Sequence, residues 1–287
     1  MTIIESLSAV VDRYELFLVD QWGVLHNGES PHDGAVIALK MLRAAGKKIV
    51  ILSNSGKRLK LTERRMAAMG FGQDCYDHCV TSGEEVYRAL DAQTEPFYAA
   101  LGRRCFMFSW DGDTSLIDGL DLTATSDIDE ADFILNAGTQ SGTVDLSAYE
   151  PILQLAAARD LPMVCANPDF VSVAPDGTIN ICPGATARRY EKIGGRVDYR
   201  GKPHKPVYDR SFTHVPDAEP AIAIGDSLYH DIGGANAIGI DSLFVASGIH
   251  GAEIGVDSVA PLDQSKLDAV YAKEGQTPTY AIKQFRW

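Results

Sequence analysis

Residues 16–25, LFLVDQWGVL, open with an apolar run that ends at Asp20. Such a run followed by glycine-broken loop sequence predicts a buried strand feeding a loop. Residues 35–45 place apolar side chains at helical spacing, a second apolar run covers 48–52, and a polar helix is predicted over 57–69. Strand and helix therefore alternate, which predicts an α/β chain with a parallel sheet covered on both faces.

The last third of the chain repeats this rhythm, and the middle third has strands and helices of its own. Strands are predicted over 106–108, 133–135, 163–165, 221–224 and 242–245, and helices over 146–159 and 230–237. The simplest organisation is one α/β core built from residues 1–82 and 197–287. A second domain, residues 83–196, is predicted to be inserted into it.

Composition excludes several classes of function. The chain has 287 residues with 45% hydrophobic side chains and a formal net charge of −13, which is typical of a folded protein with an acidic surface. Such a surface repels nucleic acid and anionic membranes. No apolar run is long enough to span a bilayer, and the first residues do not resemble a signal peptide, so a cytoplasmic location is expected. The spacing of the five cysteines favours free thiols over a zinc site.

Polar residues follow the predicted strands at the points where ligands bind to parallel sheets. Asp20 and Ser53 end the first two strands, Asp226 ends a later one, Asp231 follows five residues on, and Lys202 lies in a glycine-containing turn. Carboxylates suit Mg²⁺, a hydroxyl at a helix start can hold phosphate, and a lysine can neutralise it. A carboxylate can also attack phosphorus. Each feature is weak alone, but their order along the chain strengthens the pattern.

Four motifs in order resemble those of the haloacid dehalogenase (HAD) superfamily: residues 20–25, 53–55, 201–203 and 225–231. The large insertion, with Asn-Pro-Asp at 167–169, is similar to the C2-capped branch, subfamily IIA. That branch includes sugar-phosphate and p-nitrophenyl-phosphate phosphatases. The resemblance implies a three-layer, doubly wound parallel-sheet core with an inserted α/β C2-type cap, and a Mg²⁺-dependent hydrolase acting on small phosphate monoesters.

The resemblance also implies a role for each motif residue. Asp20 would be the nucleophile and a Mg²⁺ ligand, and Asp226 and Asp231 would complete the metal site. Lys202 would neutralise the phosphoryl group.

Four further positions take roles from the same resemblance. Ser53 and Asn54 would bind the phosphoryl group, while Asn167 and Asp169 would touch the leaving group from the cap. The expected partner is a small phosphorylated metabolite, and a homodimer is compatible with the resemblance.

One position departs from the family pattern. Trp22 stands where these phosphatases usually carry a second Asp, which acts as general acid and base, although its backbone carbonyl can still serve as the expected metal ligand. An indole exchanges no proton at neutral pH. This predicts a slow phosphatase and leaves two alternatives open. One is a phosphate- or metabolite-binding regulatory protein without turnover, and the other is a hydrolase that attacks carbon.

Overall fold

The computed structural model describes residues 1–140, 145–174, 178–256 and 260–287. Within these ranges the strands are β1 (Thr2–Ile4), β2 (Leu16–Val19), β3 (Lys48–Ser53), β4 (His78–Thr81), β5 (Arg104–Phe108), β6 (Thr123–Thr125), β7 (Phe133–Asn136), β8 (Met163–Cys165), β9 (Val171–Val173), β10 (Ile179–Ile181), β11 (Val197–Tyr199), β12 (Ala221–Gly225), β13 (Asp241–Val245) and β14 (Tyr280–Ile282).

The helices of the same ranges are α1 (Ala35–Ala44), α2 (Leu59–Ala68), α3 (Ser82–Ala92), α4 (Pro96–Ala99), α5 (Glu150–Ala158), α6 (Pro183–Lys192), α7 (Lys205–His214), α8 (Gly233–Ile238), α9 (Gly251–Ile254) and α10 (Gln264–Glu274). A π-helical turn, Leu228–Ile232, precedes α8. None of these helices combines the length and the apolar character that a bilayer crossing requires.

The chain divides into two compact units. The first comprises Met1–Ser53, Glu63–Val80 and Tyr208–Trp287, and the second comprises Asn54–Thr62 and Thr81–Val207. The sequence-based domain boundaries, with an inserted domain at 83–196, stay a prediction.

The first unit is built on a parallel sheet in the order β1-β14-β13-β12-β2-β3-β4. β2 pairs in parallel with β12 on one side and with β3 on the other. The chain runs outward in both directions from this central pair, so the strand order reverses between β2 and β12. In an open α/β sheet this reversal is where a ligand crevice forms, outside the carboxyl ends of the strands.

The second unit has a five-stranded parallel sheet, β11-β8-β7-β5-β6, and a separate antiparallel pair, β9 and β10. Its two apolar clusters follow the alternation of side chains along β7. Phe133 and Leu135 pack with Val86 of α3, whereas Ile134 packs with Leu153 of α5. Because successive residues of a strand point to opposite faces, both faces of this sheet are covered. The mixed α/β fold with parallel sheets agrees with the fold class predicted from sequence.

Most predicted elements are confirmed, and two helices differ at their starts. The helix predicted over 146–159 begins at Glu150, because a proline in its first turn favours a helix start there. In the helix predicted over 230–237, the first three residues belong to the π-helical turn, and α8 begins at Gly233. The Ser227 side chain caps that turn by accepting a hydrogen bond from His230 N–H at 3.2 Å.

Candidate active site

Three acidic side chains meet at the strand-order reversal of the first unit. Asp20 follows β2, Asp226 follows β12, and Asp231 lies in the π-helical turn. One carboxylate oxygen from each lies within 4.8 Å of the others, and all three residues are buried. The Asp20 N–H donates to the Ile224 carbonyl at 2.8 Å, which continues the β2–β12 ladder to the start of the cluster.

Backbone donors orient two of the three carboxylates. The Ile249 N–H donates to Asp226 Oδ2 at 2.8 Å, and the Ser227 N–H donates to Asp231 Oδ2 at 3.0 Å. Each hydrogen bond fixes the direction of its carboxylate oxygen. The sequence assigned no role to Ser227, which lies within the fourth motif, or to Ile249, because a backbone N–H donor leaves no trace in residue identity.

Glycines make the space that the acidic cluster occupies. A Cβ atom at Gly225 would lie 1.9 Å from Asp231 Cγ, and one at Gly248 would lie 2.0 Å from Asp226 Oδ2. Neither distance is possible between atoms that are not bonded to each other. These two positions therefore need glycine so that the carboxylates can approach the backbone. Gly248 was also missed, because an isolated glycine in a loop gives no specific signal.

The residues of this cluster fit a divalent metal ion. Three buried carboxylates concentrate negative charge in little space, which is costly unless a cation compensates it. Hard oxygen ligands of this kind suit Mg²⁺, which keeps several waters and binds through a few carboxylates. Among the residues that the structure describes, this is the one group of three or more His, Cys, Asp or Glu side chains close enough to share an ion.

Ser53 ends β3, the strand next to β2, and its side chain is buried. Its hydroxyl donates to Gln21 Oε1 at 2.8 Å, and Gln21 directly follows Asp20. The predicted phosphoryl-binding hydroxyl is therefore tied to the loop that carries the predicted nucleophile. Gln21 had no assigned role in the sequence.

The second unit brings four of the predicted residues into one hydrogen-bonded group. Asn54 Nδ2 donates to Asp169 Oδ1 at 2.8 Å and to the Lys202 carbonyl at 3.1 Å. The Lys202 N–H donates to Asn54 Oδ1 at 2.6 Å. Asn167 Oδ1 accepts from the Asp169 N–H at 3.0 Å. Asn54, Asn167 and Lys202 are all buried.

Trp22 keeps 44% of its surface exposed and packs within its own loop. Its ring lies over Gly28, where a Cβ would come within 2.3 Å of the indole, and it meets the His26 ring edge-on with centroids 5.7 Å apart. The Trp22 side chain therefore packs against its own loop. Its backbone carbonyl as a metal ligand stays a prediction.

His26 is buried and electrically neutral near pH 7. Burial, and to a smaller extent His32, lowers the pKa of His26 to about 4. The Gly28 N–H donates to its Nδ1 at 2.9 Å, so the ring proton sits on Nε2. An imidazole in this state is poorly suited to replace the missing acid at position 22.

The first unit is a doubly wound α/β domain with a carboxylate cluster at its switch point, and the chain has a second α/β unit. These features define a class of protein that contains many hydrolases. Two family models specify it further. One described as haloacid dehalogenase-like hydrolase matches residues 17–123, and one described as HAD-hydrolase-like matches residues 199–271. The chain belongs to the haloacid dehalogenase-like hydrolases.

Curated relatives and solved structures agree with this family. The chain is 24% identical to a D-glycerol 3-phosphate phosphatase of Mycobacterium tuberculosis, covering 96% of this chain and 70% of that protein. It is 24% identical to a 4-nitrophenylphosphatase of Schizosaccharomyces pombe, covering 88% and 90%.

Among solved structures, a haloacid dehalogenase-like hydrolase from Brucella suis matches with a TM-score of 0.82 and 29% identity over 99% of this chain and 100% of that one. A glycerol phosphate phosphatase from Mycobacterium tuberculosis, solved in complex with magnesium, shares the fold. Its TM-score is 0.65 at 23% identity, covering 95% of this chain and 75% of that chain.

Proposed function

We propose that this protein is a Mg²⁺-dependent phosphatase of small phosphate monoesters. The single observation that carries the proposal is the buried cluster of Asp20, Asp226 and Asp231 at the switch point of a HAD-type sheet. Two of its curated relatives are named as phosphatases of small phosphate esters, which supports the same substrate class.

The proposed reaction has two displacements at phosphorus. A carboxylate oxygen of Asp20 forms a bond to phosphorus while the bond to the leaving-group oxygen breaks, giving an aspartyl-phosphate. Water then attacks phosphorus, inorganic phosphate leaves, and the Asp20 carboxylate is restored. Mg²⁺, held by Asp20, Asp226 and Asp231, would neutralise charge on the transferring group.

The remaining residues take supporting roles by resemblance to the family. Ser53 and Asn54 are proposed to bind the phosphoryl group, and Lys202 to neutralise it. Asn167 and Asp169 are proposed to contact the leaving group. The Ser53–Gln21 hydrogen bond ties the Ser53 side chain to the loop of the proposed nucleophile, which supports the assignment of Ser53.

Because of Trp22, the proposed rate of turnover depends on the leaving group. General acid catalysis contributes about 10²–10⁴ in rate, and the indole supplies none. Turnover is therefore proposed to be slow for alkyl phosphates, whose alkoxide needs a proton, and faster for p-nitrophenyl phosphate, whose leaving group is weakly basic. A binding protein without turnover is the alternative that Trp22 favours.

Two substitutions test the proposal in a Mg²⁺-dependent assay with p-nitrophenyl phosphate and glycerol phosphate. Asp20→Asn should remove turnover of both substrates. Trp22→Asp should raise the rate with glycerol phosphate by up to about 10² and change the rate with p-nitrophenyl phosphate much less. Trp22→Asn is the matched control, because it has the same size as the aspartate variant but no acidic proton.

The outcomes separate the candidates. Activity that survives intact in Asp20→Asn contradicts the nucleophile assignment. A wild type that binds inorganic phosphate with Mg²⁺ but turns over neither substrate supports the binding protein instead. A cytoplasmic location and a homodimer are proposed only from the sequence and the family resemblance.

A further inference from the structure

The Asn54 side chain uses its hydrogen-bonding groups on the protein itself. Both Nδ2 hydrogens have acceptors, Asp169 Oδ1 at 2.8 Å and the Lys202 carbonyl at 3.1 Å, and Oδ1 accepts the Lys202 N–H at 2.6 Å. An amide side chain offers two donors and one oxygen acceptor. Asn54 is 3% exposed, and its two hydrogen bonds with the Lys202 backbone are buried.

The pairing with Lys202 has only one workable orientation. The amide oxygen faces the Lys202 N–H and the amide nitrogen faces the Lys202 carbonyl. A flipped amide would set oxygen against oxygen and N–H against N–H. A side-chain amide that satisfies both main-chain groups of one residue holds that residue's backbone in place, since each buried group left unpaired is costly.

Gly201 allows this close approach. A Cβ at Gly201 would lie 2.4 Å from Asn54 Oδ1 and 2.7 Å from Pro168 Cδ. Any side chain there would push the backbone of the next residue away from the amide. The glycine before Lys202 therefore serves the contact with Asn54 as well as the turn.

The chain immediately upstream is anchored separately. The buried Arg200 guanidinium donates to both Glu95 oxygens at 2.8 and 2.6 Å, to Asp198 Oδ2 at 2.9 Å and to Tyr98 Oη at 3.1 Å. Two-point binding of a carboxylate by arginine fixes orientation strongly. The Asn54 side chain therefore holds the backbone at Lys202, two residues after the anchored Arg200.

We propose that Asn54 is a positioning residue: its side chain clamps the backbone of Lys202 and orients the Asp169 carboxylate, and any contact of Asn54 with phosphate comes from its backbone. The proposal rests on the proposed function for its catalytic meaning, since Lys202 is the residue that would neutralise the phosphoryl group. It refines the role proposed for the second motif, residues 53–55, because the Asn54 side chain would act through Lys202.

Amide hydrogen exchange tests the clamp without any need for activity. In Asn54→Ala the Lys202 N–H should exchange at least about fivefold faster than in wild type, because its acceptor is gone. Gly201→Ala should accelerate the same amide while leaving Asn54 in place. Asn136→Ala is the matched control. Asn136 is also a fully buried asparagine of the second unit, but it donates to Pro183 and Thr186.

An unchanged Lys202 exchange rate in Asn54→Ala overturns the clamp. So does equal acceleration of that amide in Asn136→Ala, because the effect would then be a general loosening of the unit. Far-ultraviolet circular dichroism and melting curves of the same samples confirm that each variant is folded.

A double-mutant cycle tests whether Asn54 acts through Lys202. The dissociation constant of inorganic phosphate is measured with Mg²⁺ for wild type, Asn54→Ala, Lys202→Met and the double variant. If Asn54 positions Lys202, its replacement should weaken binding severalfold in the wild type and leave it nearly unchanged in Lys202→Met. Equal losses in both backgrounds contradict the proposal. A wild type that binds phosphate but shows no turnover contradicts the proposed function alone, and the exchange result still decides the clamp.

Discussion

Replacing Asp231 by asparagine should stabilise the metal-free protein. Three carboxylates place oxygens within 4.8 Å of one another. At an effective dielectric constant of about 20, two unit charges at that distance repel by about 3.5 kcal/mol. Each carboxylate faces two such neighbours. Hydration and relaxation reduce the repulsion, so the expected gain in the free energy of unfolding is about 1–3 kcal/mol.

The amide introduced by Asp231→Asn keeps the local contact of the carboxylate. It retains an oxygen that can accept the Ser227 N–H, which lies 3.0 Å from Asp231 Oδ2. With about 2–4 °C per kcal/mol for a domain of this size, the melting temperature in the presence of a chelator should rise by about 2–12 °C.

With added Mg²⁺ the wild type should have a higher melting temperature than Asp231→Asn. A ligand that binds only the folded state raises its stability by mass action. Mg²⁺ should therefore raise the melting temperature of the wild type strongly and that of Asp231→Asn weakly. Differential scanning fluorimetry with chelator and with excess Mg²⁺ measures both effects.

Asp77→Asn is the matched control, because this carboxylate lies outside the acidic cluster and pairs with Arg43. Burial acts to raise the pKa of Asp77, but hydrogen bonds from the Ile49 N–H and the Arg43 guanidinium outweigh it and lower the pKa. Neutralising Asp77 should destabilise the protein with or without Mg²⁺. A chelator melting temperature that falls in Asp231→Asn, as in the control, would refute the reasoning that mutual repulsion dominates the cluster.

Three further predictions concern other parts of the chain. Gly225→Ala places a Cβ 1.9 Å from Asp231 Cγ, so it should lower the free energy of unfolding, measured in urea, by about 1–3 kcal/mol. It should also reduce the rise in melting temperature that Mg²⁺ causes, and an unchanged rise would contradict the packing argument. Burial acts to raise the pKa of Asp113, but Lys57 and Ser115 outweigh it and lower the pKa to about 2, so the ion pair stabilises the protein above about pH 4 and this stabilisation is lost as the pH falls toward about 2. In Asp113→Asn the melting temperature should therefore depend less on pH over that range. A pH dependence equal to that of the wild type would exclude a contribution from this ion pair. Phe133→Ala should destabilise the protein by about 3–5 kcal/mol, because the ring is fully buried in the central strand of its sheet; a loss below about 1 kcal/mol would mean that the cluster collapses around the cavity.

Secondary structure near the site was accessible from local pattern. The apolar run 16–19 matches the observed bounds of β2, and β12 was missed only at its final glycine. Short strands such as Thr123–Thr125 and Val197–Tyr199 were not predicted, because three residues carry too little periodicity to stand out. Their pairing partners lie far away in sequence, so tertiary contacts decide that they are strands.

The acidic cluster was predictable as a set, and its geometry was not. The order of the motifs named Asp20, Asp226 and Asp231, but only the parallel pairing of β2 with β12 brings two of them to adjacent strand ends. The role of the Asn54 side chain was equally hidden. Its partner Lys202 is separated from it by 148 positions, and no spacing rule links an amide to a backbone so distant.

The sequence by itself determined the residue types, the strand ends that carry Asp20 and Asp226, and the departure at Trp22, because these depend on identity and short-range periodicity. Only the tertiary structure decided at which glycines the missing Cβ leaves room for the carboxylates. It also decided which backbone N–H groups orient these carboxylates and which residue the Asn54 side chain holds. Those relations are distances between segments far apart in the chain, and they come into being only when the sheets assemble.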